Sequence, residues 1–282
     1  MAAGNQNVPT IEAKILLGWM ERNPAVAFLR EQCIFDRALS EDEAEAIWHQ
    51  YSERVNALPE RPALAPQRLQ LTPEERRLAD AFMQFHRQFG PTGSVKDVIK
   101  IDPTGLVAYQ PHVIIEQSGK YRTDAHNAAT FAQHSLAVIR GQHQLQLNCG
   151  VNAADAAVPH GEFMFVFNQQ SQKFEIMEQG RHVSVTAFQN RMLLWAGYHR
   201  SYARIENANP DGNDRSLLVA LTTDGDFLVS PQSPNHGLRA MVCGLRPALL
   251  GDFLDDALFM RVNLKRKRFV LQIRAACVPV DL

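Results

Sequence analysis

Apolar positions follow two different rhythms along this chain, and the change comes near residue 93. Up to that point they recur at helical spacing. Thr10 can cap a helix whose inner face carries Ile11, Ile15, Leu16 and Trp19. Ser40-Glu-Asp-Glu43 and Thr72-Pro-Glu-Glu75 both have the form of a capping box. In it the hydroxyl accepts from the backbone N–H three residues on, and the Glu carboxylate accepts from the cap's own N–H. The second box adds proline at the first helical position. Between them lies Leu58-Pro-Glu-Arg-Pro-Ala-Leu-Ala-Pro66, too rich in proline for a helix or a central strand. Gly90-Pro-Thr-Gly93 closes the region. Trp19, Phe28, Leu29, Ile47, Trp48, Phe82 and Phe85 fall on apolar helix faces that need a partner surface.

From Ser94 onward the apolar residues come in short runs divided by turn residues. These are Val98–Ile101, Leu106–Tyr109, Val113–Glu116, Leu145–Asn148, Phe163–Phe167, Phe174–Met177, Val183–Phe188, Met192–Trp195, Tyr202–Ile205, Leu217–Thr222 and Phe269–Ile273. Many short strands at such spacing predict a mainly β domain over 94–282, of sandwich, barrel or jelly-roll type. Helices are expected near Asp124–Arg140 and in Pro247–Phe259, and Asn207–Asp214 is the clearest loop. The predicted organisation is therefore a helical N-terminal region, 1–93, packed on a β domain and not folding apart from it.

With 282 residues, 45% of them hydrophobic, the chain can bury a large core. A formal charge of −1 gives no chain-wide attraction to nucleic acid or to an anionic membrane. Lys265-Arg-Lys-Arg268 is a short basic cluster read as solvated charge at a hairpin turn. Cys33, Cys149, Cys243 and Cys277 lie far apart with no CxxC spacing, against both a structural zinc site and a disulfide framework. Residues 1–30 lack the pattern of a signal peptide, and no run of about 18 apolar residues is present to span a bilayer. The expectation is a soluble, cytoplasmic protein acting on a small molecule, without nucleic-acid or membrane partners.

The candidate chemistry centres on His160-Gly-Glu162. Read as one strand, Pro159-His-Gly-Glu-Phe-Met-Phe-Val-Phe167 puts His160 and Glu162 on one face and Phe163, Phe165 and Phe167 on the other. His199 supplies a third donor. Two histidines and a carboxylate on one side of an ion suit non-haem Fe(II), with positions open for O₂ and a co-substrate.

Residues 159–223 resemble the double-stranded β-helix of the Fe(II)/2-oxoglutarate-dependent oxygenases, in particular the branch related to phytanoyl-CoA hydroxylase. Gly197-Tyr-His-Arg-Ser201, then Asn207 or Asn209, then Asp214-Arg-Ser-Leu-Leu-Val-Ala220, is similar to that family's ending of His-Arg-Ser, Asn and Arg. Glu162 stands where the family more often carries Asp. The resemblance implies Fe(II) held by His160, Glu162 and His199, with 2-oxoglutarate as co-substrate and Arg215 gripping its carboxylate. It further implies oxidation of a small-molecule C–H bond. A guanidinium suits Arg215's role because its planar fork bonds a carboxylate at two points and stays charged. Arg204, the rival, falls on the opposite face from His199 if that segment is a strand.

The alternative is a non-enzymatic or 2-oxoglutarate-independent cupin or jelly-roll protein that binds a small ligand. The His-x-His of a first cupin motif is not found, whereas His199 would fit the second. A Gly-rich phosphate loop, a Gly-x-Ser-x-Gly elbow and HExxH are all missing. Among the other histidines, His112 and Glu116 would share a strand face as a substrate or alternative metal pair. His126 and His134 would lie on one side of a helix, and His182 would be solvated at a turn.

Overall fold

The computed structural model describes residues 10–61, 66–89, 95–119, 157–160, 163–168, 173–178, 182–188, 190–208, 215–222 and 239–265. The described chain is mainly β with helices, arranged in three sheets, one of which curls strongly as half a barrel. The first sheet runs β2 (Cys33–Ile34), β13 (Met260–Lys265), β1 (Thr10–Ile15), β6 (His112–Ile114), antiparallel throughout. The second runs β3 (Arg68–Leu69), β4 (Val95–Ile101), β12 (Leu217–Thr222), β10 (Ser184–Phe188), β11 (Arg191–Ala196), β5 (Val107–Ala108). The third is a meander of β7 (Ala157–His160), β8 (Phe163–Asn168) and β9 (Lys173–Glu178).

Each large sheet is covered on both faces. Ala13, Ile15, Val262 and Leu264 pack against α1 (Arg22–Glu31) and α2 (Glu41–Asn56). On the second sheet Leu218 and Ala220 meet Ala79 and Phe82 of α3 (Pro73–Phe89), while Leu217 and Val219 face the largest core cluster. β12 thus reads as an unbroken apolar run because both its faces are buried. The largest cluster lies between the two sheets and takes in α5 (Tyr198–Asn207).

Both capping boxes form as expected. Ser40 N–H donates to Glu43 Oε2 at 2.9 Å and Glu43 N–H to Ser40 Oγ at 3.2 Å. The matching distances at Thr72 and Glu75 are 2.8 and 3.2 Å. Such boxes are legible because they satisfy orphan backbone donors with neighbours in sequence. The Arg37 guanidinium beside Glu43 and the cap N–H hold that carboxyl down at about 2.

Three expectations are overturned. The segment Ile11–Trp19 is not a helix. It is strand β1 followed by a 3-10 turn, Leu17–Trp19, because β1 fills the gap between β13 and β6 and its backbone groups are satisfied across strands. At Gly18 a Cβ would overlap the Tyr51 carbonyl, so glycine is what lets the α2 backbone come this close. Tyr202–Ile205, read as a strand, belongs to helix α5. Pro247–Phe259 is helical only as a 3-10 turn, Leu250–Leu254, tied down by the fork of Arg61 on Asp252 at 2.6 and 2.8 Å.

The apolar faces of the N-terminal region find their partners as expected: Trp19 lies in the largest cluster, Leu29 and Trp48 against the first sheet, and Phe82 against the second. The sheets draw strands from both sides of residue 93, with β1 and β2 flanking β13. The parallel pairs β10–β12 and β11–β5 depart from the antiparallel pairing of a double-stranded β-helix. The runs Leu145–Asn148 and Phe269–Ile273, the helix near 124–140 and residues 266–268 of the basic cluster lie outside the described residues. Cys33 and Cys243 are free thiols, and burial pushes Cys33 up to about 12.

A fragment of residues 94–282 strips β13 of both its sheet neighbours and leaves Val262 and Leu264 uncovered. It is expected to lose cooperative unfolding in urea while the full chain retains it; a sharp, soluble transition for the fragment would contradict the shared core.

Candidate functional site

The strand expected over 159–167 is two strands. β7 and β8 pair antiparallel with His160 opposite Phe163, so the chain turns back between them. Period-two alternation holds only within one strand, and the argument that placed His160 and Glu162 on a common face fails with it. Glu162 itself lies outside the described residues.

His199 is the second residue of α5 and not part of a late strand. The reason sits one step upstream. Gly197 takes φ +79°, and a Cβ there would lie 2.8 Å from Val183 Cγ2 and 2.9 Å from Val183 Cα. A residue with a side chain is excluded by both terms, so glycine ends β11 and turns the chain into the helix. The sequence carried a signal for it: Tyr198, Ser201, Tyr202 and Ile205 have i, i+3, i+4, i+7 spacing, and all four are buried.

Arg215 immediately precedes Ser216 and β12, and is half-buried. Arg204, its rival, is only 2% exposed, and its Nε donates to Ser216 O at 3.2 Å. The two arginines therefore meet at one end of β12. His199 is near the other, since Ala220 N–H donates to Val183 O at 2.8 Å and Val183 abuts Gly197. Five strand residues separate Arg215 from Ala220, roughly 16 Å of backbone. Among the described residues no three His, Cys, Asp or Glu side chains come together as a metal site.

His112 ends up at the edge of the first sheet, and the helix α4 (Ile115–Gly119) starts before Glu116, so the two do not share a strand face. His182 is packed edge-on against Phe82, ring centres 5.4 Å apart, and is not simply solvated. His126 and His134 lie outside the described residues.

The structure assembles a polar core around α5 that the sequence pattern does not announce. Tyr198 donates to Gln110 O at 2.8 Å and Tyr202 to Glu206 Oε1 at 2.7 Å; both rings meet Phe253 edge-on, 6.1 and 6.0 Å between centres. Burial drives the Tyr198 phenol well up. Lys14, from the middle of β1, donates to Phe253 O at 3.0 Å, lies 3.8 Å from Glu206 and sits 4.2 Å above the Phe259 ring. Desolvation lowers its ammonium pKa, against the opposing pull of Glu206. Alternation alone would have sent Lys14 to solvent, because it does not reveal that helix and 3-10 turn cover that face.

The first turn of α5 concentrates positive charge. It has no side-chain cap and no acidic residue, and it carries His199 and buried Arg200. A helix N-terminus adds partial positive charge from its unpaired N–H groups, so this end of the core attracts an anion. No protein-family model, curated protein or solved structure matches the chain.

His112 gives a pH test of the fold. Its ring lies 6.3 Å from that of Phe28, its Nδ1 is buried without a partner, and burial lowers its pKa from the ordinary 6.5. The unfolded chain takes up this proton near 6.5 and the folded chain only at lower pH. His112 thus leaves stability intact above about 6.5 and erodes it as pH falls toward the folded value. Thermal unfolding between pH 7.5 and 5 is expected to show a shallower loss for His112→Gln than for the unmodified protein; parallel slopes would contradict this.

Proposed function

We propose that this protein binds a small anionic molecule at the start of α5, as a binding protein of the non-enzymatic kind. The observation that carries the reading is the β11–Gly197–α5 junction. A buried helix begins there on a left-handed glycine, without a side-chain cap or an acidic residue, and with His199 and Arg200 in its first turn. The backbone N–H groups and the helix dipole supply the anion's contacts, and the two basic side chains add charge. Neighbouring buried groups, Tyr198 and Lys14 with Tyr202 and Glu206, hold the helix and leave its first turn little freedom to shift.

The second reading is the iron(II) and 2-oxoglutarate oxygenase, supported by the order of His160, Glu162, His199 and Arg215. The described residues do not fit the metal well: His160 closes a hairpin, and His199 and Arg215 sit toward opposite ends of β12. When bound, Fe(II) would supply the oxidative chemistry. This chain's own part would be to present His160, Glu162 and His199 as donors and Arg215 as the anchor of a carboxylate.

Anaerobic titrations separate the two. Inorganic phosphate and 2-oxoglutarate should both bind without Fe(II), weaken with added salt, and lose about tenfold in affinity in His199→Ala. Alanine keeps the helix. Arg215→Ala should bind them as the unmodified protein does. Binding of 2-oxoglutarate that requires Fe(II) and is lost in Arg215→Ala would overturn the proposal in favour of the oxygenase; no binding of either anion would overturn it outright.

A further inference from the structure

At the far end of β11 from Gly197, a separate cavity of about 280 Å³ opens beside Arg191. Its walls include Glu60, Arg61, Val107, Arg191, Pro247 and Leu249. Arg191 is 8% exposed, and its position is fixed twice over. It opens β11 after a tight reversal in which it pairs with Phe188 and Asn190 adopts φ 60°, and its terminal nitrogens donate to Val242 O and Gly244 O. These partners are carbonyls. They satisfy two donors but leave the unit charge uncompensated, and the buried Nε has no hydrogen-bond partner. Among the described residues no carboxylate lies within ion-pair reach of Arg191.

The other charges around the cavity sharpen the picture. Arg61 is already neutralised: Asp252 takes its fork at 2.6 and 2.8 Å, Pro247 O takes a further bond at 3.0 Å, and Asp252 also accepts from Leu249 N–H at 2.7 Å. Glu60 is exposed at the rim and makes no ion pair with Arg191 or Arg61. The cavity therefore holds one uncompensated cation in its wall and one uncompensated anion at its mouth, too far apart to pair. Val107, Pro247 and Leu249 add apolar surface.

We propose that this cavity binds a small apolar zwitterion of the amino-acid class. The carboxylate meets the Nε edge of Arg191, the ammonium meets Glu60, and an aliphatic side chain lies on Val107, Pro247 and Leu249. A bare inorganic anion would satisfy Arg191 and leave Glu60 repelling it; an amine would do the reverse. Only a ligand with both charges answers both walls, and the volume limits it to a single small residue. Buried charge-assisted bonds of this kind set specificity by leaving a partner unpaired when the ligand lacks the group.

The probes are L-valine and L-leucine, with N-acetyl-leucine, which lacks the ammonium, and leucinamide, which lacks the carboxylate, followed by calorimetry on the full-length protein. Leucine or valine should bind, and both blocked forms should bind at least about tenfold more weakly. Glu60→Gln is a surface change that leaves the fold alone. It should lower leucine affinity to that of N-acetyl-leucine and leave N-acetyl-leucine unaffected. Arg191→Lys should abolish binding of every carboxylate probe; because it may not fold, the Glu60→Gln comparison decides. No binding of valine or leucine at millimolar concentration overturns the proposal. So does equal binding of leucine and N-acetyl-leucine, which would make the cavity a plain carboxylate site. The α5 anion site is separated from this one because His199→Ala should leave leucine binding unchanged.

Discussion

The architecture depends on burying α5, a helix with two arginines and two tyrosines, between two sheets. Seven of its ten residues are buried, and Arg204 is among the largest fully buried side chains of the described residues. A desolvated polar group without a partner costs about 1–3 kcal/mol and an unpaired charge more. Neighbouring elements therefore have to present acceptors: Gln110 O for Tyr198, Ser216 O for Arg204, and Glu206 for Tyr202. The 3-10 turn at 250–254 must be held as well, since Phe253 supplies both the ring that the tyrosines meet and the carbonyl that Lys14 reaches. Arg61, from the far side of the chain, fixes that turn through Asp252.

Lys14 shows how close these terms run. An ion pair at 3.8 Å gains about 4 kcal/mol at an effective dielectric of 20, and removing an ammonium from water costs several kcal/mol. Glu206 alone therefore about breaks even. The Phe253 carbonyl and the ring of Phe259 tip the balance, which is why the lysine remains where desolvation depresses its pKa. The same arrangement ties β1, near the start of the chain, to residues 253 and 259 near its described end. Sheet pairing does so a second time, with Thr10 opposite Lys265. Contacts of such sequence separation hold the N-terminal helices against the β core and explain why the two regions share clusters.

Legibility in the sequence followed the range of the interactions. The capping boxes at Ser40 and Thr72 were readable because three residues contain them entirely. Strands β4 and β8 to β12 were readable because their apolar runs are short and bounded by turns. β1 was not, since Ile11, Ile15 and Leu16 also fit a helix, and only β13 and β6 on either side decide the matter. α5 failed in the other direction: Tyr202–Ile205 is short enough to pass for a strand, and the φ of Gly197 is set by Val183, a contact from another strand. The parallel pairs β10–β12 and β11–β5 are long-range choices that no local pattern encodes. Of the candidate site, residue types were legible and convergence was not. His160 and Glu162 were two apart in sequence, but the hairpin between His160 and Phe163 cancels the meaning of that spacing.

β11 gathers these strands of argument, because both of its ends are conformationally forced and both carry chemistry. At one end Asn190, with positive φ, reverses the chain and sets Arg191 into the wall of a cavity; at the other Gly197 turns it into α5. The strand between is buried through Met192, Leu193 and Leu194, with β10 on one side and β5 on the other. A strand fixed by neighbours on both edges cannot slide by one residue without reversing every side chain from one face to the other. The positions of Arg191 and of the α5 first turn are consequently set by the same register, which explains how two charged groups can be buried at opposite ends of one element without flexible loops to place them. Sites built this way are held by sheet pairing more than by their own contacts, and pairing is the part of the fold that involves the most of the chain.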